Sequence, residues 1–144
     1  MKILLIDPSE ATAQKTITFL DTNDYESHIA TDIRSGWEYL REHIKAIAAV
    51  IITVEMEHPL LNGLDLVREA RRIYPYLPLF VLSAKDSPFF RRQADLYHAD
   101  CYLGGEDIRK LWLYVGLFIG VDELAQEMND VQPSELFLRN LGVG

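Results

Sequence analysis

Residues 48–67, AAVIITVEMEHPLLNGLDLV, pass from an apolar strand through a turn into a helix. The first seven residues are rich in β-branched side chains, a composition typical of a strand buried on both faces. Pro59, Asn62 and Gly63 supply turn chemistry, and apolar side chains then recur at helical spacing. The strand therefore delivers an acid, Glu55, to its carboxyl end. The role of that acid depends on which other residues reach the same edge.

Strand and helix patterns alternate along the whole chain. Strands are predicted over 2–6, 27–31, 48–54, 77–83 and 100–104, and helices over 10–20, 33–43, 63–74, 87–98 and 106 to about 128. This alternation predicts an α/β fold, a doubly wound parallel sheet with right-handed crossovers. The carboxyl ends of such strands meet at one edge, where ligands bind. The residues predicted to converge on a pocket there are Asp7, Glu55, Ser83 and Gly104-Gly105.

Composition narrows the classes of function. The chain has 144 residues, of which 49% are hydrophobic and 25% charged, as expected for one domain with a sizeable core. Its net charge of −8 argues against binding to nucleic acid or to an anionic membrane. The longest apolar run, residues 111–121, is too short to span a bilayer, which needs ~20 residues. With no recognisable secretory leader and one cysteine, Cys101, we expect a cytoplasmic protein without disulfides.

Three stretches carry a resemblance to a known family: KILLIDPSE (2–10), HPLLNGLDLVREARRIYPYLPLFVLSAKD (58–86) and ADLYHADCYL (94–103). They are similar to the receiver domain of two-component response regulators. The resemblance covers roughly residues 2–120. It implies a CheY-like, five-stranded parallel sheet of order 2-1-3-4-5 over residues 1–122. Residues 123–144 would then form a C-terminal helical extension or tail.

The residues that carry receiver chemistry depart from the family pattern at three positions. A receiver binds Mg²⁺ with two adjacent acids after strand one, where this chain has Asp7 and Pro8. The phospho-accepting aspartate corresponds to Glu55, and the lysine after strand five corresponds to Gly105. The resemblance therefore implies a degenerate pseudo-receiver: a non-catalytic signalling module with no metal and no cofactor, which acts through protein–protein contacts.

Two receiver residues are retained, the strand-four hydroxyl at Ser83 and the aromatic switch at Tyr102. They leave two interpretations of Glu55. In the first, the longer side chain of Glu55 imitates a phosphoryl group and accepts a hydrogen bond from Ser83 while Tyr102 turns inward. In the second, Glu55 is a solvated acid at a strand end. Lys85, two residues beyond Ser83, is a candidate replacement for the missing cation.

The last predicted helix contains LWLYVGLFIGV, residues 111–121, which is apolar nearly all round. One internal helix face cannot bury so many apolar side chains, so either residues 122–144 fold back over it or a partner covers it. The predicted interface residues are Trp112, Tyr114, Leu117 and Phe118. In receivers the helix 4–strand 5–helix 5 face mediates dimerisation and output. The resemblance thus implies a homodimer, a docked protein partner or an output domain there.

Two alternatives remain open. The segments VEMEHP (54–59) and LPLFVLSAKD (77–86) are similar to the N-terminal wing domain of PLP-dependent ornithine, lysine and arginine decarboxylases. That wing has a receiver-like fold, mediates oligomerisation and binds no PLP itself. The other alternative is an active receiver with rearranged chemistry.

Overall fold

The computed structural model describes residues 1–20, 25–118 and 133–142. Its five strands form one parallel sheet in the order β2-β1-β3-β4-β5. They are β1 (Lys2–Ile6), β2 (Glu26–Ala30), β3 (Ile47–Thr53), β4 (Leu79–Ser83) and β5 (Cys101–Gly104). The expected doubly wound sheet and its strand order are confirmed.

Six α-helices are described: α1 (Glu10–Ile17), α2 (Ile33–Glu42), α3 (Gly63–Ile73), α4 (Pro88–Leu96), α5 (Leu111–Phe118) and α6 (Glu135–Leu141). The bounds differ from the sequence prediction by a few residues. The largest correction is at the last helix, where residues predicted as α-helical form a 3-10 helix, Gly105–Lys110, before α5 begins. Such tighter turns are common at helix termini. The predicted continuation beyond Phe118 lies outside the described residues.

The start of α3 is fixed tightly against the end of β3. Asn62 caps α3, and its side chain and that of Asp65 form a reciprocal capping box. A Cβ added to Gly63 would lie 2.2 Å from the carbonyl oxygen of Thr53, so only glycine permits this close approach. The turn between β3 and α3 therefore has a defined path, and Glu55 lies within it.

The sheet is buried on both faces because side chains alternate between them along each strand. Leu4 and Ile6 of β1 join a core cluster that also contains residues of α2, α3 and α4. Ile3 and Leu5 join the opposite cluster, which includes residues of α5. Both clusters lie beneath the carboxyl edge, so the strand ends that form the candidate site rest on a packed scaffold.

The described part of the C-terminal tail does not cover α5. Phe137 and Leu141 of α6 belong to the core cluster of α2 and α3, on the opposite side of the sheet from α5. Of the two alternatives for the last helix, the one in which residues 122–144 fold back over it is therefore wrong for residues 133–142, and a covering partner stays a prediction. Residues 119–132 lie outside the described part of the chain.

Candidate functional site at the carboxyl edge of the sheet

Asp7 follows β1 directly and is buried. Its Oδ1 accepts a hydrogen bond from the backbone N–H of Ser9 at 2.8 Å, and its Oδ2 accepts one from Thr53 Oγ1 at 3.1 Å. Ser9 is the N-cap of α1 and Thr53 is the last residue of β3. Both oxygens of this carboxylate are thus engaged in joining three elements of the fold.

Glu55 lies two residues beyond β3 and spans the gap to the end of β4. Its Oε1 accepts the backbone N–H of Ala84 at 2.9 Å and lies 2.7 Å from Ser83 Oγ. Ser83 Oγ is also 2.6 Å from the carbonyl oxygen of Lys85, so one hydroxyl proton is shared between two acceptors. A carboxylate is the stronger acceptor of the two, because hydrogen bonds to ionised groups are stronger than neutral ones.

Tyr102 of β5 is turned inward and buried. Its Oη accepts the backbone N–H of Ser87, the N-cap of α4, at 3.0 Å. The Arg91 guanidinium lies 4.7 Å from the centre of the Tyr102 ring and pairs with Asp86 at 2.9 Å. The phenol is therefore held between β5 and the start of α4 by a hydrogen bond at its tip and a cation on its face.

Gly105 presents no side chain to the site and has a φ of 60°, which favours glycine. It lines an open pocket of about 380 Å³ together with Ala84, Lys15 and Arg109. In the described part of the chain Lys85 makes no ion pair with Glu55. The proposed replacement of the missing lysine by Lys85 is thus not formed in this conformation.

The side chains at this edge offer Mg²⁺ two carboxylates, Asp7 and Glu55, each of which accepts hydrogen bonds within the chain. That ion requires near-octahedral oxygen coordination, usually with one or two carboxylates. Both oxygens of Asp7 already accept hydrogen bonds, Pro8 offers no side-chain ligand, and Glu55 Oε1 is engaged by the end of β4. Among residues 1–20, 25–118 and 133–142, no group of three or more His, Cys, Asp and Glu side chains is placed to hold a metal.

Comparison with solved structures identifies the fold. No family model matches the sequence. A response-regulator receiver domain protein from Clostridium thermocellum superposes with a TM-score of 0.71 and 25% identity, over 82% of this chain and 93% of that one. The chain has the fold of a response-regulator receiver domain.

Other receiver domains have a similar fold at lower sequence identity to this chain. The chemotaxis protein CheY4 of Vibrio cholerae has a TM-score of 0.69 at 21% identity, covering 82% of this chain and 98% of that one. An orphan response regulator of H. pylori has a TM-score of 0.65 at 18% identity, covering 81% and 94%. These likenesses support the fold.

One curated relative is similar in sequence to part of this chain. It is a protein-glutamate methylesterase/protein-glutamine glutaminase of Pyrococcus horikoshii, 30% identical over 84 residues. The match covers 58% of this chain but only 22% of that protein, so the chain spans about a fifth of its length.

The structure places the sequence-predicted site residues of this chain in two groups. Glu55 and Ser83 are in direct contact at the end of β4. Tyr102 is hydrogen-bonded to Ser87, at the other end of the loop that joins β4 to α4. Asp7 is instead bonded to Thr53, a residue that the sequence analysis did not single out. The sequence offers a reason to expect a role for Thr53, because it is a polar residue near the end of an otherwise apolar strand.

Of the four predicted interface residues of α5, two are exposed and two are partly buried. Trp112 and Leu117 are exposed, whereas Tyr114 and Phe118 pack partly against the core, with the Phe118 ring edge-on to Phe80 at 5.7 Å. Leu113, which the sequence analysis did not select, is also exposed. Among the helices described, none is long and apolar enough to cross a membrane.

Proposed function

We propose that this chain is a non-catalytic signal-transduction module, an atypical receiver that works by protein–protein contact without being phosphorylated. The observation that carries the proposal is the position of Glu55 Oε1, on Ser83 Oγ and the N–H of Ala84. Enzymes transfer phosphoryl groups by neutralising charge with metal ions and cationic side chains. Pro8 and Gly105 stand where the receiver pattern has the second acid and the lysine.

Glu55 acts in this proposal as a permanent substitute for the phosphorylated acceptor. Its carboxylate receives a hydroxyl and a backbone N–H at the end of β4, the donors that an oxyanion would use. The same loop leads to Ser87, whose N–H is bonded to the inward Tyr102. The chain would thus remain in one signalling state, with no phosphorylation cycle.

The α4–β5–α5 face is the proposed output surface. Trp112 and Leu117 expose large apolar side chains there, which monomeric proteins normally keep scattered or covered. A homodimer or a docked output domain would bury them. The net charge of −8 supports a protein partner over nucleic acid or an anionic membrane, and the single Cys101 supports a reducing, cytoplasmic setting.

A second candidate is the wing domain of a PLP-dependent ornithine, lysine or arginine decarboxylase. Exposed apolar residues on α5 favour it equally, because a wing also uses its surface for oligomerisation. The two candidates differ in what the gene encodes beyond residue 144. A PLP-binding lysine domain there would identify the wing, and an output or kinase domain would identify the signalling module.

The proposal is tested by incubating the full chain with acetyl phosphate and Mg²⁺ and measuring intact mass. The matched positive control is the triple variant Pro8→Asp/Glu55→Asp/Gly105→Lys, which restores both acids and the lysine. A second triple variant, Pro8→Asp/Glu55→Ala/Gly105→Lys, removes the acceptor and reports phosphorylation elsewhere.

We expect no acyl phosphate on the wild-type chain and partial phosphorylation of the restored variant only. Partial incorporation is expected because lysine at a φ of 60° is strained. Stoichiometric phosphorylation of wild-type Glu55 would refute the proposal, and so would a saturable Mg²⁺ response that Asp7→Asn removes.

A further inference from the structure

The open pocket that Gly105 lines has the size of a small-molecule site. Its volume is about 380 Å³, and binding sites for small molecules commonly enclose ~300–1,000 Å³. Its walls are α1 with the turn that follows it, the start of the loop between β4 and α4, and the 3-10 helix after β5. We call this cavity the α1 pocket.

The α1 pocket has a local excess of positive charge in an acidic chain. It is lined by Lys15 of α1 and Arg109 of the 3-10 helix. Neither side chain forms an ion pair with another residue in the ranges 1–20, 25–118 and 133–142. Glu106 is the one acid among the described residues that line the pocket. Two cations against one acid favour an anionic ligand, although the net charge of the chain is −8.

The same pocket has an apolar wall. Phe19 and Ile108 line it, and both are partly buried against the core cluster on the α5 side of the sheet. Thr16 is a buried polar residue of the lining, but its hydroxyl donates to the carbonyl oxygen of Thr12 at 3.1 Å, which leaves the hydroxyl oxygen as an acceptor. The cationic side chains therefore select the charge of a ligand, and the apolar wall selects the rest of it.

Gly105 leaves space at a wall where the receiver pattern has a lysine. A Cβ built on Gly105 would have one atom within 4 Å apart from its chain neighbours, the backbone nitrogen of Asp86 at 3.8 Å. Glycine at this position therefore removes a long side chain from the pocket wall. The cations that remain come from α1 and the 3-10 helix, where they line the cavity without filling it.

We propose that the α1 pocket binds a small organic phosphate, a phosphate monoester with a compact apolar body. A phosphate monoester carries a charge of about −1.5 to −2 near neutral pH, which matches two cations better than a carboxylate does. Lys15 and Arg109 bind the phosphate group. The apolar body packs on Phe19 and Ile108.

Occupation of the α1 pocket acts on the connection that Glu55 holds. Ala84 lines the pocket, and its backbone N–H donates to Glu55 Oε1 at 2.9 Å. Gly105 follows directly after β5, the strand that carries Tyr102. A bound phosphate ester therefore contacts the start of the β4–α4 loop and the end of β5, and it changes the signalling state without phosphorylation. This regulatory step rests on the proposed function, whereas the binding site does not.

The test titrates the isotope-labelled full chain with naphthyl phosphate and follows its amide signals by NMR. We expect saturable shifts at Thr16, Ala84 and Gly105, and a shift of the Ser87 amide in the saturated complex. Inorganic phosphate supplies the charged group alone, and naphthylmethanol supplies the apolar body alone. Each should bind at least about tenfold more weakly than naphthyl phosphate, because each lacks one of the two sets of contacts.

Three charge variants locate the site. Lys15→Gln and Arg109→Gln should each weaken binding of naphthyl phosphate about fivefold, as expected for the loss of one exposed charge pair. Lys110→Gln is the matched control, because it removes the same charge from the same 3-10 helix, where Lys110 pairs with Asp107 and does not line the pocket. Its affinity should stay within about twofold of wild type. The amide spectra also verify that each variant is folded.

Absence of saturable shifts at the pocket amides would overturn the proposal, as would an affinity that Lys15→Gln and Arg109→Gln leave unchanged. Equal affinity for inorganic phosphate would overturn it too, as the mark of an adventitious ion only. Binding of polyglutamate but not of naphthyl phosphate would mean that the occupant is an acidic protein segment. An unchanged Ser87 amide in the saturated complex would refute the regulatory step. Acyl phosphate on Glu55 would refute the proposed function and leave the binding result standing.

Discussion

The two tryptophans of this domain lie on opposite sides of the sheet and have opposite environments. Trp37 of α2 is 4% exposed beneath α6, whereas Trp112 of α5 is 56% exposed. Both belong to helices that flank the same parallel sheet, so the difference does not come from the fold class. The chain covers one side with its own C-terminal helix, and the described residues leave apolar side chains of the other side uncovered.

This difference separates two kinds of surface. The face of α2 and α3 is covered by α6, whose Phe137 packs against Trp37. The α5 surface presents Trp112 and Leu117 directly, so a partner there needs only to cover them.

The largest expected effect is on stability. Trp37→Ala removes a buried aromatic side chain from the core and from its contact with Phe137, so we expect a loss of about 3–5 kcal/mol in the free energy of unfolding. The matched variant Trp112→Ala truncates an exposed side chain and should change that free energy by no more than about 0.5 kcal/mol. Urea unfolding of both variants measures the contrast. Equal losses would mean that α5 is as well covered as α2.

A smaller effect concerns the thiol on the α5 side of the sheet. Cys101 packs partly against that core cluster, and burial, followed by the charge of Asp100, raises the pKa of its thiol to about 11 against an opposing effect of Arg91. The folded state therefore retains the proton more strongly than the unfolded state. The resulting stabilisation is complete below the unfolded pKa of about 8.5 and is lost as pH rises through the folded value.

Alkylation kinetics test this environment. Because the thiolate is the reactive form, iodoacetamide should label the folded chain much more slowly at pH 8 than the urea-unfolded chain. The unfolding free energy should also fall between about pH 9 and 11, and Cys101→Ala should reduce that fall. Equal labelling rates in the two states would show that α5 leaves β5 open to solvent.

The smallest expected effect on stability belongs to the exposed surface of α5. Leu117→Gln replaces an exposed leucine, so the unfolding free energy should stay within about 0.5 kcal/mol of wild type. Self-association, measured by light scattering over a concentration series, should weaken. Leu136→Gln on α6 is the matched control, since Leu136 is also an exposed leucine and lies on the other side of the sheet. Equal weakening by both variants would contradict the assignment of α5 as the interface.

The sheet was predictable because its signals are long and repeated. The apolar run of β3 and the helical spacing after Gly63 are each sustained over several residues, and their alternation permits few arrangements. The segment of α6 is different, because seven residues with two buried apolar positions are too short for a periodicity argument. Its sequence does contain a start signal, Pro133 and Ser134 followed by Phe137, that sequence analysis alone did not weigh.

The sequence predicted that Glu55 and Ser83 reach one edge of the sheet, and it left open whether they are hydrogen-bonded. Strand order and length bring Glu55 and Ser83 to one edge, and that follows from topology. Whether Glu55 is solvated or bonded depends on a few ångströms of loop path, which the sequence does not encode locally. Glu69 is a third case: its position on the apolar side of α3 was readable, but its partner Ser134 is 65 positions away.

The central claim is that an unphosphorylated carboxylate at Glu55 holds the β4–α4 connection with Tyr102 inward. NMR of Glu55→Ala tests it most directly, with the likewise exposed neighbour Glu57→Ala as the control. The account predicts that Glu55→Ala removes exchange protection at the Ala84 N–H and shifts the Ser87 amide and the Tyr102 ring, while Glu57→Ala leaves all three unchanged. Unchanged Ala84, Ser87 and Tyr102 signals in Glu55→Ala would contradict it.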